Sequence, residues 1–308
     1  MHTPPHSSNY FYQEPQMKLA TFTHERRTRI GLVVDQSIID LAAVEPGLPT
    51  DMKQFLEAGD AAWARARNAE RRTTARLPLS AVTLEAPIKN PGKVLAIGLN
   101  YADHVKESGM QAPQHQIWFN KQWNAIVGPY DGFEIPAVAP NRIDYEGELC
   151  FVIGKRCRHV PAARAADAIF GYLCGNDVSV RDWQMRTPQF TLGKSFDTHA
   201  PIGPWIVTAD EIGDPHALGL RTFVNGELRQ ESNTRQLIFN CFAQVQELSS
   251  AFTLDPGDVI FSGTPGGVGA AMKPPQYLRA GDRVRVEIDR IGAIENVAVP
   301  GHAETILG

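Results

Sequence analysis

The segment NRIDYEGELCFVIGK, residues 141–155, reads as a β-strand that is turning inward, yet its first half carries acids at alternate positions. Side chains along a strand alternate between its two faces. Asp144, Glu146 and Glu148 are therefore expected on one face, and Tyr145, Leu149, Phe151 and Ile153 on the other. Carboxylates at i and i+2 on one face repel each other unless a positive group sits between them. Asp177, at the end of the apolar run GYLCGND, adds a third isolated acid where a lone charge would be costly. A divalent cation would account for all three. Oxygen ligands without histidine favour Mg²⁺ or Mn²⁺, with Ca²⁺ possible, over Zn²⁺. The competing reading is an exposed edge strand whose acids are simply solvated.

The rest of the chain sets the frame for that strand. Its 308 residues, 43% hydrophobic and 21% charged, are enough for one large domain or two. The formal net charge of −4, with no block of Lys and Arg, gives no electrostatic support for nucleic acid or a membrane surface as partner. No apolar run reaches the ~18 residues that a transmembrane helix needs. Residues 1–16 lack the charged and apolar regions of a signal peptide and read as a flexible extension. Cys150, Cys157, Cys174 and Cys241 form no metal-binding spacing, so buried reduced thiols in a cytoplasmic protein are expected.

Short apolar runs from Met17 to about residue 45 predict a small β-rich unit, and 51–74 predicts a helix. The stretch LEAPIKNPGK has the composition of a linker, which divides the chain into a small domain at 17–88 and a larger one at 91–308. In the larger part short strands dominate without regular alternation with helices, which argues against a parallel α/β sheet and for a mainly β (α+β) fold. Asn225-Gly226 between apolar flanks predicts a hairpin. Residues 232–252 predict one long helix, with Leu237, Ile238, Cys241, Val245 and Leu248 on one face.

Three further features could carry chemistry. His104 and Glu107, at i and i+3, would share a helix face, where the carboxylate orients the imidazole as a general base for water; a solvated surface pair is the alternative. Lys194, in TLGKSF, could neutralise an anionic substrate or decorate the surface, and nearby His199 is given no role. GDVIFSGTPGGVG (257–269) is neither a P-loop nor a dinucleotide fingerprint, but with Thr264 its backbone N–H groups could form a nest for a carboxylate.

Taken in order, IGLNYADH, DYEGEL, GNDVSVRDWQ, TLGKSF, VNGELRQ and GDVIFSGTPGGVG resemble the fumarylacetoacetate hydrolase superfamily, in particular its acylpyruvase and diketo-acid hydrolase branch. The resemblance runs over roughly 92–300, and the segment from Met17 resembles the small N-terminal domain of longer bacterial members. It implies a catalytic domain of rolled β-sheets and a homodimer. It also implies Mg²⁺ or Mn²⁺ on Glu146, Glu148 and Asp177, and a water-activating dyad of His104 and Glu107 on a segment that can close as a lid. Lys194 would hold substrate and balance charge, Gln184 would contact substrate, and Thr264 would lie near its carboxylate. The expected reaction is hydrolysis of the C3–C4 bond of a 2,4-dioxo acid. The alternatives on the same site are decarboxylation of oxaloacetate, isomerisation of 2-hydroxydienoates and hydration of 2-oxo-pentenoates. Two departures stand out. Asn100 occupies a position where an aspartate serves as a further metal ligand in the family, so three protein carboxylates are expected. Leu99 replaces an arginine common in acylpyruvases, which removes a cation and counts against a small dianion such as oxaloacetate.

Overall fold

In the computed structural model, which describes residues 17–307, the Gly147–Ile153 strand lies inside a 12-stranded sheet. It pairs antiparallel with Ile169–Asn176 on one side and with Val259–Phe261 on the other. From Val259–Phe261 the sheet continues in parallel to Val94–Gly98 and then antiparallel to Ile117–Lys121. In the opposite direction Ile169–Asn176 leads to Ala200–Thr208, then to Lys18–His24 and Arg27–Val34. The strands of residues 17–88 thus join the sheet through Lys18–His24, which pairs with Ala200–Thr208. The expected N-terminal extension, residues 1–16, lies outside the described residues.

Both faces of this sheet are covered, which explains why every residue from Gly147 to Ile153 is buried. Cys150 and Val152 pack with Leu173, Ile206 and Phe261 beneath Phe55 and Leu56 of the Met52–Glu57 helix. Leu149, Phe151 and Ile153 face a second core shared with Leu220, Val286 and Ile288 of a five-stranded sheet. The hairpin predicted at Asn225-Gly226 belongs to that smaller sheet: both residues have positive φ, 52° and 83°, and Val224 registers with Glu227. Such a two-residue turn needs left-handed backbone, which Asn and Gly tolerate best. The fold is mainly β with some α, as the sequence predicts.

Three expectations need correction. Period-2 alternation holds from 147 to 153 but not before: Ile143–Asp144 is a separate two-residue strand, and Asp144 meets the N–H groups of Gly269 and Ala270 and shares Arg181 with Glu146, outside the group of Glu146, Glu148 and Asp177. The helix predicted over 232–252 covers only Cys241–Ala251. Asn240 caps it by accepting from Ala243 N–H, and Asn100 clamps the preceding turn through Ile238 and Phe239, so Leu237 and Ile238 precede the helix. The helix expected over 51–74 is two, Met52–Glu57 and Gly59–Arg72, separated where Gly59 takes a φ of 71°.

Gly147 sits between Glu146 and Glu148 where the two sheets meet. A Cβ there would overlap the buried Thr222 hydroxyl, with Val286 and Gln230 at 3.2 and 3.3 Å. We expect Gly147→Ala to destabilise the protein by about 1–3 kcal/mol through overpacking. Denaturant unfolding measures this, and a change below about 0.5 kcal/mol would mean that Thr222 turns aside freely.

Candidate active site

Glu146, Glu148 and Asp177 are all buried and offer one carboxylate oxygen each within 4.8 Å of one another. Glu148 comes from the large sheet, and Asp177 follows the neighbouring strand, its N–H bonded to Glu146 O. Lys194 Nζ, itself buried, lies 2.6 Å from Glu146 Oε2 and 2.8 Å from Asp177 Oδ2. Two cations that sequence reasoning missed complete the arrangement. Lys121 Nζ is 2.5 Å from Asp177 Oδ1 and also donates to Lys194 O. Arg181 spans Glu146 Oε1 at 2.6 Å and Asp144 Oδ2 at 2.8 Å. Lys121 was legible in principle, because alternation along IWFNK puts it on the buried face with Phe119.

Four carboxylates (Asp144, Glu146, Glu148, Asp177) thus meet three cations (Lys121, Arg181, Lys194), and Glu148 is left without one. Among the described residues its carboxylate accepts one hydrogen bond, from the Gly263 N–H to Oε2 at 2.7 Å. Burial, then the charges of Asp177 and Glu146, push the Glu148 carboxyl well above the usual range. Glu146 goes the other way: burial opposes ionisation, but Lys194 and Arg181 outweigh it and lower the pKa to about 2. Burial lowers the Lys121 pKa despite Asp177, whereas at Lys194 burial is overcome by Asp177 and Glu146 and the pKa is raised. A cluster one cation short, built from hard oxygen donors, fits a divalent cation such as Mg²⁺ or Mn²⁺. Asn100 takes no part: its Nδ2 donates to Phe239 O and Ser262 O, and its Oδ1 accepts from Phe239 N–H.

The cluster borders a cavity of about 710 Å³. Glu146 and Lys194 reach its wall, as do His104, Glu107, Gln184 and Thr264, so the cavity gathers most of the residues singled out from the sequence. His104 Nδ1 is 3.5 Å from Glu107 Oε2, on the Ala102–Ser108 helix. Gln184 Oε1 accepts from Arg181, 3.0 Å away. The Thr264 hydroxyl donates to Gly147 O and accepts from Gln230. The glycine-rich turn differs from expectation in what it binds. Its N–H groups meet the protein's own carboxylates: Gly263 meets Glu148, Gly266 meets Asp103, Gly267 meets Glu107, and Gly269 and Ala270 meet Asp144. Much of the remaining wall is apolar, including Ile97, Leu99, Phe119, Met185, Phe190 and Val268.

A model of the fumarylacetoacetate hydrolase C-terminal family matches residues 93–299. The chain belongs to that family. It is 47% identical over 275 residues to oxaloacetate tautomerase fahd2, mitochondrial, of Xenopus laevis, an alignment covering 88% of this chain and 86% of that one. Among solved structures, it resembles fumarylacetoacetate hydrolase from Exiguobacterium antarcticum at 36% identity and a TM-score of 0.83, covering 92% of this chain and all of the other. Maleylpyruvate hydrolase from Sphingobium sp. SYK-6, in complex with manganese(II) and pyruvate, matches at 34% identity and a TM-score of 0.77, over 93% of this chain and all of the other. Among the described residues no helix is long and apolar enough to cross a membrane.

Two predictions follow from the electrostatics. In metal-free protein, Glu148→Gln should leave stability unchanged or raised, because it removes a buried carboxyl that has no cationic partner and whose ionisation its surroundings oppose. Glu146→Gln should lower stability by about 3 kcal/mol by stripping a partner from Lys194 and Arg181. Both should abolish Mn²⁺ binding, read from the paramagnetic resonance of free Mn²⁺; equal destabilisation by the two would refute the asymmetry. The second concerns His199, which is buried, donates from Nε2 to Glu134 O at 2.7 Å, and has its pKa lowered to about 3 chiefly by burial. Between pH 6.5 and about 3 the unfolded chain gains a proton at this residue that the folded chain refuses. Stability should therefore fall as pH drops through that window, by up to about 1.4 kcal/mol per pH unit from this group. Unfolding curves for His199→Gln should show a shallower acid slope than wild type, and parallel slopes would exclude the contribution.

Proposed function

We infer that the protein is a metal-dependent enzyme that interconverts the keto and enol forms of a small 2-oxo acid of the oxaloacetate type. The observation that carries this reading is the buried three-carboxylate cluster opening, beside a histidine, into a largely apolar cavity. The near-full-length similarity to an oxaloacetate tautomerase supports it. Glu146, Glu148 and Asp177 would hold the metal. A divalent ion there supplies Lewis-acid polarisation of the 2-oxo group and makes the hydrogens on the neighbouring carbon more acidic. His104 takes one of those hydrogens as a proton and returns it to the oxygen, so the reaction consumes no water. With Nδ1 turned toward Glu107, its Nε2 is the nitrogen available to substrate. Glu107, fixed by the Gly267 N–H at 2.9 and 3.0 Å, orients the ring. Lys194 keeps the cluster's charge balanced, and Gln184 and Thr264 shape the wall.

A second reading, hydrolysis of the C3–C4 bond of a 2,4-dioxo acid, is favoured by the same His104–Glu107 pair, which suits activation of water. Similarity to maleylpyruvate hydrolase supports it. The two readings differ in products. With Mg²⁺ or Mn²⁺, tautomerisation accelerates decay of the oxaloacetate enol absorbance while oxaloacetate is recovered intact. Hydrolysis instead yields pyruvate and acetate from acetylpyruvate. We expect the first, with His104→Ala slowing it by about 10²–10⁴-fold while Mn²⁺ binding is retained. Unchanged turnover in that variant would remove His104 from the mechanism, and acid products from acetylpyruvate with no effect on the oxaloacetate enol would establish the hydrolase reading instead.

A further inference from the structure

We propose that Arg142 determines specificity by binding the second carboxylate of a 2-oxo dicarboxylate. The proposal rests on the substrate being a 2-oxo acid. Three permanently cationic side chains line the cavity: Arg142, Arg181 and Lys194. Lys194 is committed to Glu146 and Asp177, and Arg181 to Asp144 and Glu146. Arg142 alone of the three has an exposed side chain with no hydrogen bond or ion pair among the described residues. Its backbone is fixed nonetheless. Arg142 O accepts the Arg181 N–H at 2.9 Å, and Ile143 beside it pairs with Val180. A guanidinium carried on an anchored backbone beside a cavity, with no partner among the described residues, is placed to take a ligand carboxylate through two parallel hydrogen bonds.

Charge balance points the same way. The cluster of four carboxylates and three cations carries one net negative charge, and a divalent ion would bring it to one net positive charge. That matches a single carboxylate, the one beside the 2-oxo group. A dianion needs one more cation, and Leu99 supplies none. Arg142 supplies it from the cavity wall, which removes the objection that Leu99 raises against dicarboxylates.

The test compares 2-oxoglutarate with 2-oxopentanoate, five-carbon acids that differ in a terminal carboxylate against a methyl group. Titration calorimetry on Mn²⁺-loaded wild type should show the diacid binding at least about tenfold tighter. Arg142→Leu should abolish that preference while 2-oxopentanoate affinity stays within about twofold, and Arg142→Lys should restore part of it, since a point charge replaces the bidentate fork. A preference that survives in Arg142→Leu overturns the proposal, as does equal weakening of both ligands. Failure of the wild type to bind either acid overturns it together with the 2-oxo-acid reading. An Arg142-dependent preference without turnover of oxaloacetate would overturn tautomerisation alone.

Discussion

Four carboxylates buried beside three cations are the constraint around which the site is built. Taking a carboxylate out of water costs several kcal/mol, and only close, well-aligned partners offset it. The partners come from elements far apart in sequence. Lys121 reaches Asp177 across 56 residues and Lys194 reaches Glu146 across 48. The large sheet brings them together, because Ile117–Lys121 is separated from Gly147–Ile153 by two strands and carries Lys121 on its buried face. Among the described residues pairing is complete except at Glu148, where a backbone N–H is the only hydrogen-bond donor. That residual deficit is what would let the cluster take a divalent cation, beyond serving as a salt-bridge network.

The same demand for donors shapes the glycine-rich turn after Val259–Phe261. Five of its N–H groups are engaged by Glu148, Asp103, Glu107 and Asp144. Two of these acids, Asp103 and Glu107, lie on the Ala102–Ser108 helix, so the turn fixes the helix that presents His104. Positive φ at Gly263 and Gly267, 107° and 98°, lets successive N–H groups point at acids on different elements. Gly267 also passes so close to Arg229 O that a side chain there would collide with backbone. The helix around the histidine is therefore held by backbone donors as well as by the buried Tyr101 and Val105.

This division explains what the sequence reveals. Period-2 patterning exposed the buried strand, and the isolated acids Glu146, Glu148 and Asp177 stood out because nothing local could neutralise them. The Asn225-Gly226 hairpin was legible for the same reason: its geometry is set within four residues. Asp144 was misread because its partners, Arg181 and the N–H groups of Gly269 and Ala270, lie 37 to 126 residues away. The long helix was misread because its apolar spacing continues through Leu237 and Ile238, while Asn100, more than a hundred residues upstream, holds that segment in a turn. The glycine-rich turn looked open to substrate because its occupants come from three other parts of the chain.

Tautomerisation and hydrolysis make opposite demands on the space next to His104. Hydrolysis needs a water molecule between the imidazole and the carbonyl, and polar groups to hold that water in line. Proton transfer from carbon needs the imidazole against the substrate, and it is helped by excluding water, which would compete for the base and screen the charge. In this cavity three of the polar groups near His104 are already engaged by the protein: Thr264 by Gly147 and Gln230, Gln184 Oε1 by Arg181, and Glu107 by Gly267. Leu99, Phe119, Phe190 and Val268 contribute apolar surface. On the proposed reading a wall this apolar would suit direct proton transfer better than water delivery, and the two reactions would separate on how the cavity is wetted although they would share one cluster of ligands.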